Sequence, residues 1–405
     1  MTRHPVVIVG GGHAAAQLCA SLHEKGLSDG VQLVCAEPML PYQRPPLSKG
    51  HLKQVQDAAQ PIRPADWYAR AGVQCHLQRQ ATHLDAAAQT LTLDNGQVLG
   101  YERLVLATGT RARVLPLMPP TLANVHTLRT AADADALRAQ LHGAQRLVVL
   151  GGGFIGLEVA ATAQALGTQV TVLEMAPRLM GRSVSLALSE HVRATHVASG
   201  MDIRLASAVQ GVQVEGPRVV AVTLAEGALP CDLVLVAVGA EPETRLAQEA
   251  GLTCDNGIVV DAAMRTSQPN IFAMGDCVSF PLEGDRRLRL ESIQNAHDQA
   301  KVVAKGLSGE AGCYRPMPWF WSEQGSLRLQ MAGLWTPEAQ SVCRTGAQAG
   351  SLSWFHHVGT RLVCVESVNA PMDHMMARKL LEQGVSPTPA QLADPAVALK
   401  SLLPA

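Results

Sequence analysis

Two glycine-rich turns are the residues whose types and spacing point most directly to chemistry. They comprise Gly10, Gly12 and Ala15 in the first turn and Gly151, Gly153 and Gly156 in the second. Each turn follows a short apolar run typical of a buried parallel strand and precedes a helical pattern. The first glycine permits a tight turn, the second lets the backbone approach a pyrophosphate, and the third small residue lets helix pack on strand. Since free N–H groups and the positive helix end then face phosphate, the repeat predicts two dinucleotide sites.

An acidic residue ends the strand that follows each turn. Glu37 and Glu174 hold these two positions. A carboxylate there accepts hydrogen bonds from an adenosine ribose, whereas the 2′-phosphate of NADPH would meet a like charge. We therefore expect the second site to prefer NADH over NADPH.

The composition is typical of a soluble, globular, enzyme-like chain. The chain has 405 residues, enough for two or three domains, with 47% hydrophobic and 17% charged residues and a net charge of −1. This balance does not indicate a nucleic acid or a membrane surface as partner. We expect no signal peptide, because a core strand begins near Pro5, and no apolar run approaches the roughly 20 residues that span a bilayer. The expectation is a cytoplasmic monomer or homodimer.

The nine cysteines lie far apart in the sequence, without a Cys-x-x-Cys pair or a Cys/His ligand spacing. We therefore expect no metal site and no dithiol centre, and interpret the cysteines as small buried residues in a reducing compartment. His356 and His357 are interpreted as structural. For His13, in the first glycine turn, a packed or solvated side chain is favoured over a phosphate contact.

The order of patterns along the chain predicts an α/β protein with three modules. A βαβ pattern extends from Pro5 to about Gly109, interrupted by a proline-rich loop at residues 41–49 and a hairpin turn at Asn95 and Gly96. A proline-rich connection at residues 114–120 leads to a second βαβ pattern. That pattern occupies residues 146–239, with a helix near 185–198 and a strand-turn-strand around 215–217; a further helix is predicted at 291–307. Beyond Pro316 the tryptophans at 319, 321, 335 and 354 lie in alternating segments, which predicts an antiparallel module ending in a helix near 373–383.

Taken together, these motifs resemble the FAD-dependent, NADH-using ferredoxin reductases of bacterial oxygenase systems, of the putidaredoxin reductase type. Besides the glycine turns, the resemblance rests on residues 44–49, 107–109, 128–130, 275–276 and 318–324. It implies a glutathione-reductase-like fold with two Rossmann-like dinucleotide-binding domains and a C-terminal α+β interface domain. The implied limits are 1–109 and 240–316 for the FAD domain, 110–239 for the NADH domain and 317–405 for the interface domain.

The resemblance also implies which residues bind the cofactors. FAD would be bound by Gly10, Gly12, Ala15, Glu37, Arg44, Lys49, Ala81, Thr108, Gly109, Arg129, Gly275, Asp276, Ser292, Ile293, Trp319 and Trp321. NADH would be bound by Gly151, Gly153, Phe154, Ile155, Gly156, Glu158, Glu174, Arg178 and Gly239. The implied catalytic residues are Lys49, Glu158 and Trp321. Some members of the family carry Trp where this chain has Ile293, so their flavin re-oxidation behaviour is not transferred to it.

Several of the implied roles have a simpler alternative. Asp276 would accept hydrogen bonds from ribityl hydroxyls, or else cap the following turn. Arg44 suits a pyrophosphate, or else is a solvated surface residue. Lys49 would lie near flavin N5 and stabilise the negative charge left by hydride arrival. Glu158 would pair with Lys49, or else only complement its own helix dipole.

Two further features carry competing interpretations. Trp319 and Trp321 would lie beside the flavin where ferredoxin docks, or else be core aromatics. The cluster of Arg286, Arg287 and Arg289 is the best candidate for docking an acidic ferredoxin, although such clusters are usually solvated loops.

The implied reaction is hydride transfer from NADH to FAD, followed by release of electrons, one at a time, to an iron–sulfur ferredoxin of the 2Fe-2S or Rieske type. Disulfide reductases and thioredoxin reductases are disfavoured, because residues 44–49 contain no cysteine. The remaining alternatives are a monodehydroascorbate reductase, an NADH oxidase or quinone reductase, and, in another class, a flavoprotein of the apoptosis-inducing-factor type.

Overall fold

The computed structural model describes residues 5–54, 58–119, 121–282, 284, 286–346 and 348–404. Contacts divide them into two compact units. The first unit holds the described residues within 1–43, 59–111 and 240–316, and the second holds those within 44–58, 112–239 and 317–405. Pro120, at the end of the proline-rich connection, lies outside the described residues.

The strands and helices are numbered in chain order within the described residues. The strands are β1 Val6–Val9, β2 Gln32–Cys35, β3 Gln74–Leu77, β4 Ala81–Asp85, β5 Thr90–Leu93, β6 Val98–Gly100, β7 Arg103–Leu106, β8 Thr110–Ala112, β9 Val125–His126, β10 Arg146–Leu150, β11 Gln169–Leu173, β12 Asp202–Arg204, β13 Gly211–Glu215, β14 Arg218–Leu224, β15 Gly227–Pro230, β16 Leu233–Val236, β17 Ala240–Pro242, β18 Ile258–Val259, β19 Ile271–Ala273, β20 Val278–Pro281, β21 Arg287–Leu288, β22 Trp319–Gln324, β23 Leu327–Gly333, β24 Gln340–Thr345, β25 Leu352–Val358 and β26 Arg361–Val368. The α-helices are α1 His13–Glu24, α2 Gly50–Lys53, α3 Ala65–Arg70, α4 Ala131–Leu141, α5 Phe154–Ala165, α6 Leu186–Ala198, α7 Arg245–Glu249, α8 Ile293–Leu307, α9 Pro371–Glu382 and α10 Pro389–Ala393. Short 3-10 helices occupy Pro45–Ser48, Gly275–Cys277 and Leu399–Leu402.

The first unit is built on a parallel sheet with the strand order β19-β7-β1-β2-β3. Ile8 of β1 lies opposite Leu33 of β2 and Val105 of β7, and all three side chains are buried. Strands that are covered on both faces need such continuous apolar runs. Helices α1 and α8 contribute Leu18 and Val303 to the same core.

This sheet order determines where the first glycine turn lies. Gly10 follows β1, Glu37 follows β2, Thr108 follows β7 and Gly275 follows β19. These four strands are neighbours in the sheet, and the carboxyl ends of parallel strands share one edge. Residues far apart in the sequence are therefore gathered at a single edge.

The second unit repeats the arrangement in a parallel sheet with the order β12-β11-β10-β16-β9. Gly151 follows β10, Glu174 follows β11 and Gly239 lies shortly after β16. An antiparallel sheet, β13-β14-β15, contains the turn between Glu215 and Arg218 that the sequence predicts. The predicted βαβ pattern of residues 146–239 is confirmed.

The C-terminal segment of the second unit forms an antiparallel sheet with the order β22-β23-β26-β25-β24. Helix α9 packs against it, and Phe355, Val365 and Leu380 share a core. The predicted antiparallel sheet and the helix near 373–383 are thus confirmed, as is the α/β class of the chain. The module does not end at that helix, because α10 and the 3-10 helix Leu399–Leu402 follow it. No helix in the described ranges combines the length and the hydropathy needed to cross a membrane.

One predicted helix start is wrong by two residues because a serine side chain caps the helix. The helix predicted from Glu291 begins at Ile293, because the Ser292 hydroxyl accepts a hydrogen bond from the Asn295 N–H at 3.2 Å. The helix predicted near 185–198 is confirmed at Leu186–Ala198, with Ser185 as its N-cap. Such a capping residue keeps an extended backbone. The Asn95–Gly96 hairpin is confirmed between β5 and β6.

Candidate active site

The first glycine turn has the geometry that a pyrophosphate requires. Gly10 has φ +130°, and a Cβ there would overlap the carbonyl oxygen of Ala107. Gly12 is the N-cap of α1, and no side chain among the described residues caps this helix. A Cβ added at Gly12 would have no described atom within 4 Å. The space in front of the helix N-terminus is therefore open to an anion, and the turn fits the phosphates of FAD.

The second glycine turn shows the same division of roles. At Gly151, φ is +104° and a Cβ would overlap the Ala237 carbonyl oxygen. A Cβ at Gly156 would likewise overlap the Gly151 carbonyl oxygen. Gly153 is the N-cap of α5, has no side-chain cap within the described chain and faces open space. This turn fits the pyrophosphate of NADH.

The two acidic residues lie beside these turns in different environments. Glu174 Oε2 accepts a hydrogen bond from the Gly152 N–H at 2.7 Å, and Oε1 accepts one from the Ala176 N–H at 2.8 Å. Glu37 Oε2 accepts a hydrogen bond from the Tyr42 hydroxyl at 2.6 Å. The Glu174 carboxylate is thus fixed against its own glycine turn.

Thr108 and Gly275, which follow β7 and β19 in the first unit, are held by hydrogen bonds between a backbone group and a side chain. The Thr108 hydroxyl donates to the Glu243 carbonyl at 2.6 Å, and the Gly275 N–H donates to Gln299 Oε1 at 2.7 Å. Gly109 and Gly275 have φ +68° and +82°. Ala81 is buried at the start of β4.

Asp276 is not the cap of its turn. It lies inside the 3-10 helix Gly275–Cys277, whose N-cap is Met274. This excludes the simpler interpretation of Asp276 as an N-cap, so its proposed role toward the ribityl chain stays a prediction. Ser292 and Ile293 form the start of α8, with Ser292 serving as the cap.

Within the second unit, Arg44 of the proline-rich loop forms a hydrogen bond with the backbone of Arg129. Arg44 Nη1 donates to the Arg129 carbonyl at 2.8 Å, and the Arg129 N–H donates to Asp133 Oδ2 at 3.0 Å. Asp133 also completes a capping box with Thr130 at the start of α4. Arg44 is half-buried and bonded, unlike the solvated surface residue considered as its alternative.

A buried ion pair joins Lys49 to Glu158. The Lys49 ammonium lies 2.6 Å from Glu158 Oε2, and the two side chains are 20% and 5% exposed. Lys49 also donates to the Pro45 carbonyl at 3.1 Å. Glu158 therefore does more than complement the dipole of α5. The ion pair that the resemblance implies is present, and the catalytic roles of its members remain predictions.

Two serines that the sequence analysis missed complete the surroundings of Glu158. The Ser48 hydroxyl donates to Oε2 at 2.5 Å, and the Ser322 hydroxyl donates to Oε1 at 2.7 Å. Both serines lie inside motifs that were recognised, next to Lys49 and Trp321. Their position within those motifs is the feature of the sequence that could have identified them, because a serine alone does not indicate a functional site.

The first turn of α5 presents two apolar side chains of the predicted NADH site. Phe154 meets Phe320 edge to face, with ring centroids 4.7 Å apart. Ile155 is 47% exposed. An exposed apolar side chain there suits contact with a ligand.

Arg178, predicted to bind NADH, makes protein contacts. Its guanidinium donates to the carbonyls of Val184 at 2.7 Å and Gly181 at 2.5 Å and lies over the Trp335 ring at 5.2 Å. Arg182, four residues later, is exposed and comes within 3.4 Å of a Cβ built at Gly239. Arg182 is therefore the arginine beside Gly239, and the sequence analysis missed it.

The tryptophans of β22 form an aromatic group at the C-terminal sheet. Trp319 and Trp321 are stacked with centroids 5.7 Å apart, and the Arg378 guanidinium lies 4.3 Å from the Trp319 ring. His374 is nearby, with its ring centroid 6.2 Å from that of Trp319. Burial, with smaller effects of Arg378 and Arg328, lowers the pKa of His374 to about 4.

The arginine cluster suggested for ferredoxin docking is largely bonded within the first unit. Arg287 donates to the Val260 carbonyl at 2.6 Å and to Ser279. Arg289 pairs with Glu291 at 2.5 Å and is only 13% exposed. Arg289 is therefore largely shielded, whereas Arg286 and Arg287 are exposed and keep their charge, so docking of a ferredoxin at this cluster stays a prediction.

The histidines assigned to structural roles are indeed packed. His356 Nε2 lies 3.0 Å from Glu366 Oε2, and His357 Nε2 lies 3.1 Å from the Pro387 carbonyl. His13 is 9% exposed, and its ring centroid lies 5.8 Å from that of His297. The described residues contain no group of three His, Cys, Asp or Glu side chains that could hold a metal ion.

Comparison with known proteins identifies the family. Residues 4–300 match the pyridine nucleotide-disulphide oxidoreductase model, and residues 319–403 match the reductase C-terminal model. The chain is 42% identical to rhodocoxin reductase of Rhodococcus erythropolis over 392 residues, which cover 96% of this chain and 92% of the relative.

Two solved structures are similar over nearly the whole chain. The ferredoxin reductase for the CYP199A2 system from Rhodopseudomonas palustris has a TM-score of 0.94 at 39% identity and covers 98% of this chain and 99% of its own. The covalent putidaredoxin reductase–putidaredoxin complex has a TM-score of 0.94 at 36% identity, with 99% and 98% covered. The chain therefore belongs to the pyridine nucleotide-disulphide oxidoreductase family, among its ferredoxin reductases.

Proposed function

We propose that this ferredoxin reductase carries electrons from NADH through FAD to an iron–sulfur ferredoxin that feeds an oxygenase. The observation that carries the proposal is the buried Lys49–Glu158 ion pair, which lies at the start of α5 directly after the second glycine turn. The relatives that match the whole chain are reductases of this kind. FAD, when bound, accepts a hydride and passes electrons on singly.

The chain's own part is binding, orientation and electrostatics. Gly12 and Gly153 open the N-termini of α1 and α5 to the two pyrophosphates. Glu174 offers a fixed carboxylate to the adenosine ribose of NADH. Lys49 holds a positive charge in a shielded position, where an ammonium stabilises developing negative charge far better than it does in water. These roles rest on the sites assigned above from the sequence.

Stopped-flow absorbance under anaerobic conditions tests the proposal. NADH should bleach the flavin of the FAD-loaded protein, and added 2Fe-2S ferredoxin should restore the flavin colour. Lys49→Met should slow the bleaching, whereas Lys53→Met, at an exposed lysine of the neighbouring α2, should not. Failure of NADH to bleach the flavin would contradict the proposal. Equally rapid reduction of quinone, monodehydroascorbate or oxygen without ferredoxin would favour the alternative acceptors.

We further propose a cytoplasmic setting and a monomer or homodimer. All nine cysteines are free, which suits a reducing compartment. Burial raises the pKa of Cys75 and Cys231 to about 11, but Cys313 and Cys343 are exposed, so the interpretation of the cysteines as buried residues holds for only part of them. Sedimentation velocity of the FAD-loaded protein decides between one and two copies. A larger assembly would contradict this part of the proposal.

A further inference from the structure

The carboxylate of Glu158 is held by side chains from two distant parts of the second unit. Ser48 and Lys49 reach Oε2 from the proline-rich loop, and Ser322 reaches Oε1 from strand β22. Glu158 is 5% exposed and Ser322 is 1% exposed, so water does not compete for this contact. Hydrogen bonds to a charged group in such a place are among the strong ones.

Ser322 is itself fixed by a second buried residue. Gln324 Nε2 donates to the Ser322 hydroxyl oxygen at 3.1 Å, and Gln324 Oε1 lies 3.0 Å from His196 Nε2. An amide N–H only donates and an ionised carboxylate only accepts, so the Ser322 hydroxyl must direct its hydrogen to Glu158. The direction of every bond from His196 to Glu158 is thereby determined.

Strand alternation explains how β22 supplies these groups. Successive side chains of a strand point to opposite faces. Phe320, Ser322 and Gln324 therefore lie on one face and contact Phe154, Glu158 and His196 respectively. Trp319 and Trp321 lie on the other face.

We propose that Ser322, oriented by Gln324, is a positioning residue for hydride transfer, because it fixes the Glu158 carboxylate and through it the Lys49 ammonium. This inference rests on the proposed function. Ser48 cannot replace Ser322, since it bonds to Oε2, the oxygen that Lys49 already shares. Without Ser322, Oε1 has no donor within the described part of the chain, and the carboxylate can rotate away from the lysine.

The rate of flavin reduction by NADH provides the first test. Ser322→Ala should slow it about tenfold, which is the loss of one hydrogen bond to a charged group. The dissociation constant for NADH should stay unchanged. Ser322→Thr keeps the hydroxyl and should restore the rate. In a Glu158→Gln background, Ser322→Ala should have little further effect, because a residue that acts through another gives a non-additive cycle.

Thermal unfolding of the FAD-loaded protein provides a readout independent of activity. Ser322→Ala should lower Tm. The decrease in Tm that it causes should be clearly smaller in the Glu158→Gln background. The matched control is Ser353→Ala, which removes another buried serine of the same sheet, bonded to Ser367 at 3.1 Å. This control should also lower Tm but should leave the rate of flavin reduction unchanged.

The outcomes separate the two proposals. The positioning role would be overturned if Ser322→Ala slowed flavin reduction equally in the unsubstituted protein and in Glu158→Gln. It would also be overturned if Ser353→Ala slowed flavin reduction as much as Ser322→Ala does. Either result would leave Ser322 with a structural role. If NADH fails to reduce the flavin of the unsubstituted protein, the proposed function fails. The Tm cycle still decides whether Ser322 and Glu158 are coupled.

Discussion

The Gly152 N–H donates a hydrogen bond to the carboxylate of Glu174 at 2.7 Å. Glu174, which is expected to bind the ribose of NADH, is therefore bonded to the glycine turn that is expected to bind the pyrophosphate. This hydrogen bond holds the Glu174 carboxylate and the second glycine turn together at the edge of the second parallel sheet. A carboxylate fixed in this way cannot move aside for a 2′-phosphate, and it faces that group with a like charge.

Replacing Glu174 should therefore change coenzyme preference. Glu174→Arg should raise kcat/KM for NADPH relative to NADH by about tenfold or more, because a repulsive charge becomes an attractive one. Steady-state kinetics with both coenzymes measure the ratio. Glu215→Arg, at an exposed glutamate of the same unit, is the charge-matched control. An unchanged ratio in Glu174→Arg would refute the assigned role.

A methyl group at Gly12 should separate cofactor binding from folding. Because a Cβ there meets no described atom within 4 Å, Gly12→Ala should leave Tm of the FAD-free protein nearly unchanged. It should weaken FAD binding by about tenfold or more, since the methyl group occupies the approach of the phosphate. Flavin fluorescence during titration gives the dissociation constant. Gly100→Ala, another glycine with open space around it, should not change this constant; equal FAD affinity in both variants would contradict the site.

Breaking the Lys49–Glu158 pair should cost stability as well as rate. Removing one partner of a buried ion pair leaves an uncompensated charge and costs about 3 to 5 kcal/mol. Chemical denaturation of Glu158→Gln and Lys49→Met should show this loss, and the double variant Lys49→Met with Glu158→Leu should recover part of it. Glu190→Gln, which breaks an exposed pair with Arg193, should change stability little. Equal effects of the buried and exposed substitutions would argue against a shielded pair.

His374 should make stability depend on pH in the mildly acidic range. Its folded-state pKa of about 4 lies below the ordinary value of 6.5, because burial disfavours the charged ring. The unfolded chain then binds the proton more readily, so stability is fully present above pH 6.5 and falls as the pH decreases toward 4. The loss amounts to about 3 kcal/mol. Denaturation of His374→Leu should show a flatter profile in this window, whereas exposed His83→Gln should retain the slope; identical slopes in all three proteins would contradict the assignment.

The fold was predictable from the sequence wherever the signal is local. An apolar strand, a glycine turn and a helix follow one another within about a dozen residues at Val6–Val9 and again at Arg146–Leu150, so their spacing alone predicts both parallel sheets. The start of α8 was misplaced by two residues where Ser292 acts as the cap, because a serine before a helical pattern also fits the helix interior.

The candidate site was less predictable, because its key contacts join distant segments. Ser48 lies 110 residues from Glu158 along the chain, and Ser322 lies 164 residues from it. No periodicity or spacing connects such positions. Likewise, the sequence offers Arg178 and Arg182 in one loop, and only the packing of Arg178 against Trp335 shows which guanidinium is already engaged.

The alternation of β22 also restricts how this protein can change in evolution or by engineering. Its register with β23 sets Trp321 opposite Gln330 and Ser322 opposite Leu329. A one-residue insertion or deletion at the start of β22 would exchange the two faces of the strand. The tryptophans would then point at the buried acid, and the serine and glutamine would replace them on the opposite side. A point substitution in this strand alters one side chain, whereas a change of length there would displace both groups at once, so loop grafts and fusions are better placed elsewhere.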